Sequence, residues 1–169
     1  MEDFTYVLPP YARFSSFADR KFNLNYVKKE FLWYLKGDRF DLSICQHAKM
    51  WNSLIDTDGG INSNYGQYVF GDTNGIKHVF DELSSDTDSR RATIMILNNS
   101  HLRVGAKDVP CTYSLNFRIR NNKLNMSVRM RSQDAIFGMT NDAPCFSFIH
   151  ECVYALLTEV YPTLELGMY

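Results

Sequence analysis

Long hydrophobic runs are missing. No stretch of the 169 residues approaches the roughly 18 apolar residues that span a bilayer. The Met1 end, Met-Glu-Asp-Phe-Thr, lacks the charged-then-apolar order of a signal peptide. A soluble, cytoplasmic protein with no membrane partner is therefore expected. An excess of one charge is missing too. The 18 Lys plus Arg against 19 Asp plus Glu leave a formal net charge of −1, which argues against a nucleic-acid coat but leaves room for one local basic site for a small phosphate. The 4 cysteines, Cys45, Cys111, Cys145 and Cys152, form no CxxC pair and no Cys/His set at zinc spacing, so no metal is expected. A chain this long needs no disulfide framework, and the four read as free thiols, any of which could be a nucleophile. No repeat, low-complexity tract or Gly/Ser linker marks a boundary, so residues 1–169 are expected to form a single domain.

What is present is ordinary globular composition, 45% hydrophobic and 22% charged. Tyr26, Phe31, Trp33, Tyr34 and Leu35 predict a helix over about Asn25–Lys36, with Gly37 where a C-terminal cap belongs. A second helix is expected over Ser43–Leu54, then a turn at Asp56–Gly60, then a short third helix over Gly75–Leu83. From Arg91 the period changes. Ala92–Leu97 reads as a buried strand. Next, Cys111, Tyr113, Leu115, Phe117 and Ile119 alternate with Thr112, Ser114, Asn116, Arg118 and Arg120. Asn121-Asn122-Lys123 supplies a hairpin turn, and Leu124, Met126, Val128 and Met130 alternate on the return. A last helix is expected after Pro144. The class is α+β, an antiparallel or mixed sheet covered on one side by helices.

Cys111 follows Pro110 at the head of a strand. Alone, it reads first as a buried core thiol; a nucleophile would need nearby cations to favour the thiolate, and Arg90, Arg91 and Arg131 are candidates. Two guanidiniums at a strand entrance, as in Ser89-Arg90-Arg91, suit phosphate oxygens, although a solvated edge is the commoner use. Arg131-Ser132-Gln133-Asp134 offers a charge and a hydroxyl to one phosphate in the same way. The histidines, His47, His78, His101 and His150, are scattered, and surface or packing roles are expected for them.

Taken in order, Glu30 in Glu30-Phe31-Leu32-Trp33-Tyr34-Leu35-Lys36-Gly37, then Asn62-Ser63-Asn64-Tyr65-Gly66, Ser89-Arg90-Arg91, Pro110-Cys111 and Arg131-Ser132-Gln133-Asp134-Ala135-Ile136-Phe137-Gly138 resemble the thymidylate synthase family. Within it they look most like the deoxycytidylate hydroxymethylases of T-even bacteriophages. The resemblance implies a homodimer formed through the sheet. It implies that Cys111 adds to C6 of a pyrimidine deoxynucleotide, dCMP or dUMP, and that 5,10-methylenetetrahydrofolate donates the carbon to C5. Arg131 and Ser132 match the 5′-phosphate motif, and Arg90 and Arg91 the pair that reaches the same phosphate from a neighbouring subunit. Glu30 matches the residue that organises water and proton transfer, Tyr65 a tyrosine lining the pocket, and Asp134 with Gly138 the folate side. Asn116 stands where the family usually has Gln, as a candidate nucleotide contact.

Two departures bear on substrate. Thr112 follows the nucleophile where the synthases have His, and Asp142 stands eight residues beyond Asp134 where they place a uracil-pairing Asn. A carboxylate accepts from cytosine's exocyclic amine and would face an acceptor on uracil, so Asp142 favours dCMP. Methyl and hydroxymethyl products both remain open. The chain stops at Leu164-Glu165-Leu166-Gly167-Met168-Tyr169, before the family's His-x-Tyr ribose motif and closing tail. The alternatives are therefore a shortened, impaired homologue that binds nucleotide or acts in assembly, or a dUMP-using transferase.

Overall fold

The structure, a computed structural model, describes residues 5–14 and 22–169. Helix α1 (Leu24–Leu35) starts where the Asn23 side chain accepts the Tyr26 N–H at 3.0 Å. It ends at Gly37, whose φ of +63° is cheap only for glycine. Its inward face carries Val27, Trp33 and Tyr34, and among them a carboxylate, Glu30. The expected helix over Ser43–Leu54 is instead two 3-10 runs, Ser43–Gln46 and Lys49–Leu54, separated by extended backbone at Ala48. Only Ile44 and Trp51 are buried within them, which is too sparse a pattern to hold one continuous apolar stripe. The short helix α2 (Gly66–Val69) and then α3 (Gly75–Ser85) follow, the latter as expected.

Strands β1 (Thr93–Met95), β2 (Thr112–Arg120), β3 (Lys123–Met130) and β4 (Glu165–Leu166) form one sheet in that order. The first three are antiparallel, and β4 joins β3 in parallel, an addition not foreseen. Asn121 and Asn122, at φ +51° and +57°, make the two-residue hairpin turn whose backbone twist suits the strands. Strict alternation fails at the head of β2. A register shift between Thr112 and Ser114 is a β-bulge. It buries Thr112 and Ser114 and leaves Tyr113 44% exposed, reversing the faces expected there.

From Leu115 onward the alternation holds. Ile94, Leu115, Phe117, Ile119, Leu124 and Met126 form a core with Val79 and Leu83 of α3 and with Ile149, Val153 and Leu157 of helix α4 (Gly138–Thr158). Burial of each such side chain is worth about 1.5–3 kcal/mol. The opposite face carries Thr93, Met95, Asn116, Ser127, Arg118 and Arg129, with Met95 and both arginines exposed.

Helix α4 begins ahead of Pro144, not after it. Asp134 makes this possible. Its Oδ1 accepts the N–H groups of Ile136 at 3.0 Å, Phe137, and Gly138 at 3.4 Å, supplying acceptors at the helix entrance. The cost of Pro144 in the helix interior is the missing N–H that would reach the Thr140 carbonyl. No helix among the described residues is long and apolar enough to cross a membrane.

Candidate active site

The nucleophile candidate sits at the junction of a loop and the bulged head of β2. Cys111 is half-buried, and the four consecutive carbonyls from Asp108 to Cys111 all accept hydrogen bonds. Asn62 Nδ2 donates to the Asp108 carbonyl at 2.9 Å. The Arg131 guanidinium donates to Val109 at 2.7 Å and to Pro110 at 3.1 Å, and the Arg131 backbone N–H donates to Cys111 at 2.8 Å. Arg131 thus lies against the cysteine loop, with Ser132 exposed beside it.

Of the expected cations, only Arg131 is felt by the thiol. Burial pushes the Cys111 thiol up, Arg131 draws it down, and Asp142 and Asp108 push it up again. The net direction is upward, so the loop holds a neutral thiol rather than a ready thiolate. Arg90 and Arg91 lie at the entrance to β1. Arg90 is exposed, and Arg91, its side chain 78% exposed, pairs with Glu82 at 3.2 Å.

Tyr65 is positioned by aromatic stacking between Tyr34 and Phe146, with centroids 5.7 Å and 5.8 Å away. Gly66 allows this approach, since a Cβ there would collide with the Tyr34 backbone. Burial and then Asp142 raise the Tyr65 hydroxyl, while the Thr112 hydroxyl beside it draws it back. The bulge in β2, which turns Thr112 inward, therefore also helps set Tyr65.

Glu30 is buried, its Oε1 accepting the Tyr34 hydroxyl at 3.1 Å. Its Oε2 makes no hydrogen bond of ordinary geometry. Burial first, and then the charge of Asp142, raise the Glu30 carboxyl to about 8, against the pull of the Tyr34 and Tyr26 hydroxyls. Burial likewise raises Asp142 to about 6, with the Gln133 amide drawing it down. Near neutrality the two side chains are thus one protonated and one ionised carboxyl, an acid beside an acceptor.

Asp142 is therefore within electrostatic reach of Cys111, Tyr65 and Glu30, and Tyr65 of Cys111 and Glu30, with Arg131 at the thiol. Asn116 is not drawn into this group. Its amide spans the open sheet face, accepting from the Thr93 hydroxyl and donating to Ser114, each at 3.0 Å. Asp134 and Gly138 stand on the rim at the start of α4, beside exposed Ile136 and Phe137. Two open clefts, about 380 Å³ and 780 Å³, are lined by neither Cys111 nor Glu30 nor Asp142. No group of His, Cys, Asp or Glu among the described residues is placed to hold a metal ion.

Sequence reasoning passed over Asp108 and gave no separate roles to Asn62 and Ser63. The signal was available in a carboxylate three residues before Cys111, in a stretch otherwise apolar up to the thiol.

Comparison with known proteins identifies the family. A family model described as Thymidylate synthase matches residues 10–162. The Deoxycytidylate 5-hydroxymethyltransferase of Enterobacteria phage T6 is 34% identical over 151 residues, 85% of this chain and 61% of that protein. The Deoxyuridylate hydroxymethyltransferase of Bacillus phage SP01 is 27% identical over 176 residues, 95% of this chain and 44% of that protein. The crystal structure of thymidylate synthase from T4 phage superposes with a TM-score of 0.71 at 20% identity, covering 96% of this chain and 61% of the other. The chain spans about six tenths of the length of the T6 relative.

Proposed function

The chain belongs to the thymidylate synthase family, and from that membership and the grouping of Cys111, Glu30 and Asp142 we propose that it transfers a folate-borne one-carbon unit to C5 of a pyrimidine deoxynucleoside monophosphate, hydroxymethylating dCMP. The observation that carries the choice of base is Asp142, a carboxyl raised only to about 6 and hence ionised at neutral pH. An ionised carboxylate accepts from the exocyclic amine of cytosine; against the carbonyl of uracil it would have no donor.

The reaction begins when the Cys111 thiol gives up its proton and Sγ bonds to C6 of the base. The C5–C6 π pair then moves to C5, which becomes the nucleophile toward the incoming carbon. Methylenetetrahydrofolate, when bound at the Asp134 and Gly138 rim, supplies that carbon. Glu30 holds a proton beside the ring and orders the water whose oxygen becomes the new hydroxyl. Loss of the C5 proton breaks the bond between the transferred carbon and the folate nitrogen, releasing tetrahydrofolate and leaving an exocyclic methylene on C5. Water adds to that methylene as Cys111 leaves C6, which restores the C5–C6 double bond and the free thiol. Arg131 and Ser132 hold the 5′-phosphate, and Arg90 and Arg91, projecting from the entrance to β1, complete that site in a second copy of the chain. This makes the functional unit a homodimer packed through the open face of the sheet.

Mass spectrometry of the product formed from dCMP and methylenetetrahydrofolate tests the reading. Hydroxymethyl-deoxycytidylate is expected; methyl-deoxycytidylate, or a product from dUMP alone, would overturn it.

A further inference from the structure

The loop that carries Cys111 is gripped from two sides, and only one grip belongs to the phosphate site. On one side is Arg131, donating to the carbonyls of Val109 and Pro110. On the other is Asp108, a buried carboxylate with 2% of its surface exposed. Its Oδ2 accepts the Ser63 N–H at 2.6 Å, and its Oδ1 accepts the Ser63 hydroxyl at 2.5 Å. Asn62 Nδ2 reaches both the Asp108 carbonyl at 2.9 Å and the Asp56 carboxylate at 3.1 Å. Asp56, its side chain fully buried, is in turn held by Arg103 at 2.6 Å. The segment thus fastened, Asn62-Ser63-Asn64, runs directly into Tyr65.

Burial, with the nearby Asp56 charge adding to it, raises the Asp108 carboxyl, so its charge costs folding free energy, and a core position three residues before the thiol could have been filled by an apolar side chain. What the carboxylate provides that an apolar residue would not is a fixed two-point link between the nucleophile's loop and the loop of the pocket tyrosine. We infer that Asp108, through Ser63, is a positioning residue that sets Cys111 against Tyr65 and restrains the thiol. The inference rests on the proposed role of Cys111, but the clamp can be tested without turnover. Asp108 also lies near enough for its charge to oppose ionisation of Cys111. Opening the clamp by removing that charge therefore makes the free thiol more reactive while making it less productive.

The experiment compares the intact chain with Asp108→Asn and Ser63→Ala, following iodoacetamide alkylation of each cysteine by site-resolved mass spectrometry. Dissociation constants for dCMP and tritium release from its C5 position are measured in parallel. In Asp108→Asn, Cys111 is expected to alkylate several-fold faster, with buried Cys145 unchanged and dCMP affinity near that of the parent. Turnover should fall by about 10²-fold, the scale of a misplaced reacting group. Ser63→Ala, which keeps the backbone donor, should give a smaller effect of the same kind, and the two changes combined should not add. Acceleration of Cys111 and Cys145 in proportion would mean that Asp108 merely holds the fold together, and an unchanged Cys111 rate would mean that the clamp restrains nothing; either result overturns the inference. Absence of tritium release from the parent chain would count against the proposed reaction alone, because the alkylation comparison would still decide the clamp.

Discussion

Burial, and then the charge of Asp142, keep a proton on Glu30, lifting its carboxyl to about 8 while Asp142 itself titrates near 6. The active form of the site is therefore the one present between these values, with Asp142 ionised and Glu30 protonated. The profile of kcat/KM against pH, which reports the free enzyme, should rise through about 6 and fall through about 8.

Replacing Asp142 changes both features. Asp142→Asn should remove the acid limb and move the alkaline limb to lower pH, because the charge opposing ionisation of Glu30 is gone. It should also shift preference from dCMP toward dUMP by about 10²-fold or more, since an amide can donate where uracil presents a carbonyl. Steady-state kinetics on both nucleotides check this. An unchanged ratio would remove Asp142 from base selection.

The same burial has a price in stability. Glu30 has a raised carboxyl in the folded chain, so between its ordinary value of 4.5 and about 8 the native state keeps a proton that the unfolded state has lost. Its contribution to stability is fully present below 4.5 and is lost as pH rises through about 8. Glu30→Gln cannot ionise and keeps an acceptor for Tyr34. It should therefore be more stable than the parent by a margin that grows across this window, reaching on the order of a few kcal/mol at its upper end. Urea denaturation at the two ends of the window checks it, and equal margins at both would contradict the account.

Arg90 and Arg91 are exposed, Arg91 beside Glu82, and the proposed homodimer has them serve another protomer's site. Mixing Cys111→Ala with a chain carrying Arg90→Ala and Arg91→Ala should then restore activity that neither has alone. Random pairing gives up to about a quarter of the parent's sites. Failure to complement, with mixed dimers shown to form, would place the arginines elsewhere.

Much of this was legible in residue pattern. The periodicity of α1 and α3 and the alternation of β2 and β3 specified those elements because each buries one regular face. Where pattern failed, a local departure of the backbone had overridden it. Ala48 interrupts the expected second helix with extended backbone. The bulge at Thr112 and Ser114 moves Tyr113 outward. Asp134 starts α4 upstream of a proline that would ordinarily mark a boundary. The parallel strand β4 is only two residues long and carries no signal of its own. In the candidate site, Cys111, Glu30, Tyr65 and Asp142 were proposed from motifs that resemble the family. Their mutual electrostatics could not be read that way, because burial and the influence of the Asp142 charge on Glu30 are products of the fold. Asp108 escaped because an acid in a loop reads as solvated until the structure shows it buried against Ser63.

The proposed addition of Cys111 to C6 would activate C5 of dCMP. It is tested most directly by tritium release from position 5 of labelled dCMP with methylenetetrahydrofolate present. The account predicts release by the parent chain and none by Cys111→Ala, with dCMP still bound. Tight dCMP binding without release at any folate concentration would contradict it and leave a nucleotide-binding protein in place of an enzyme.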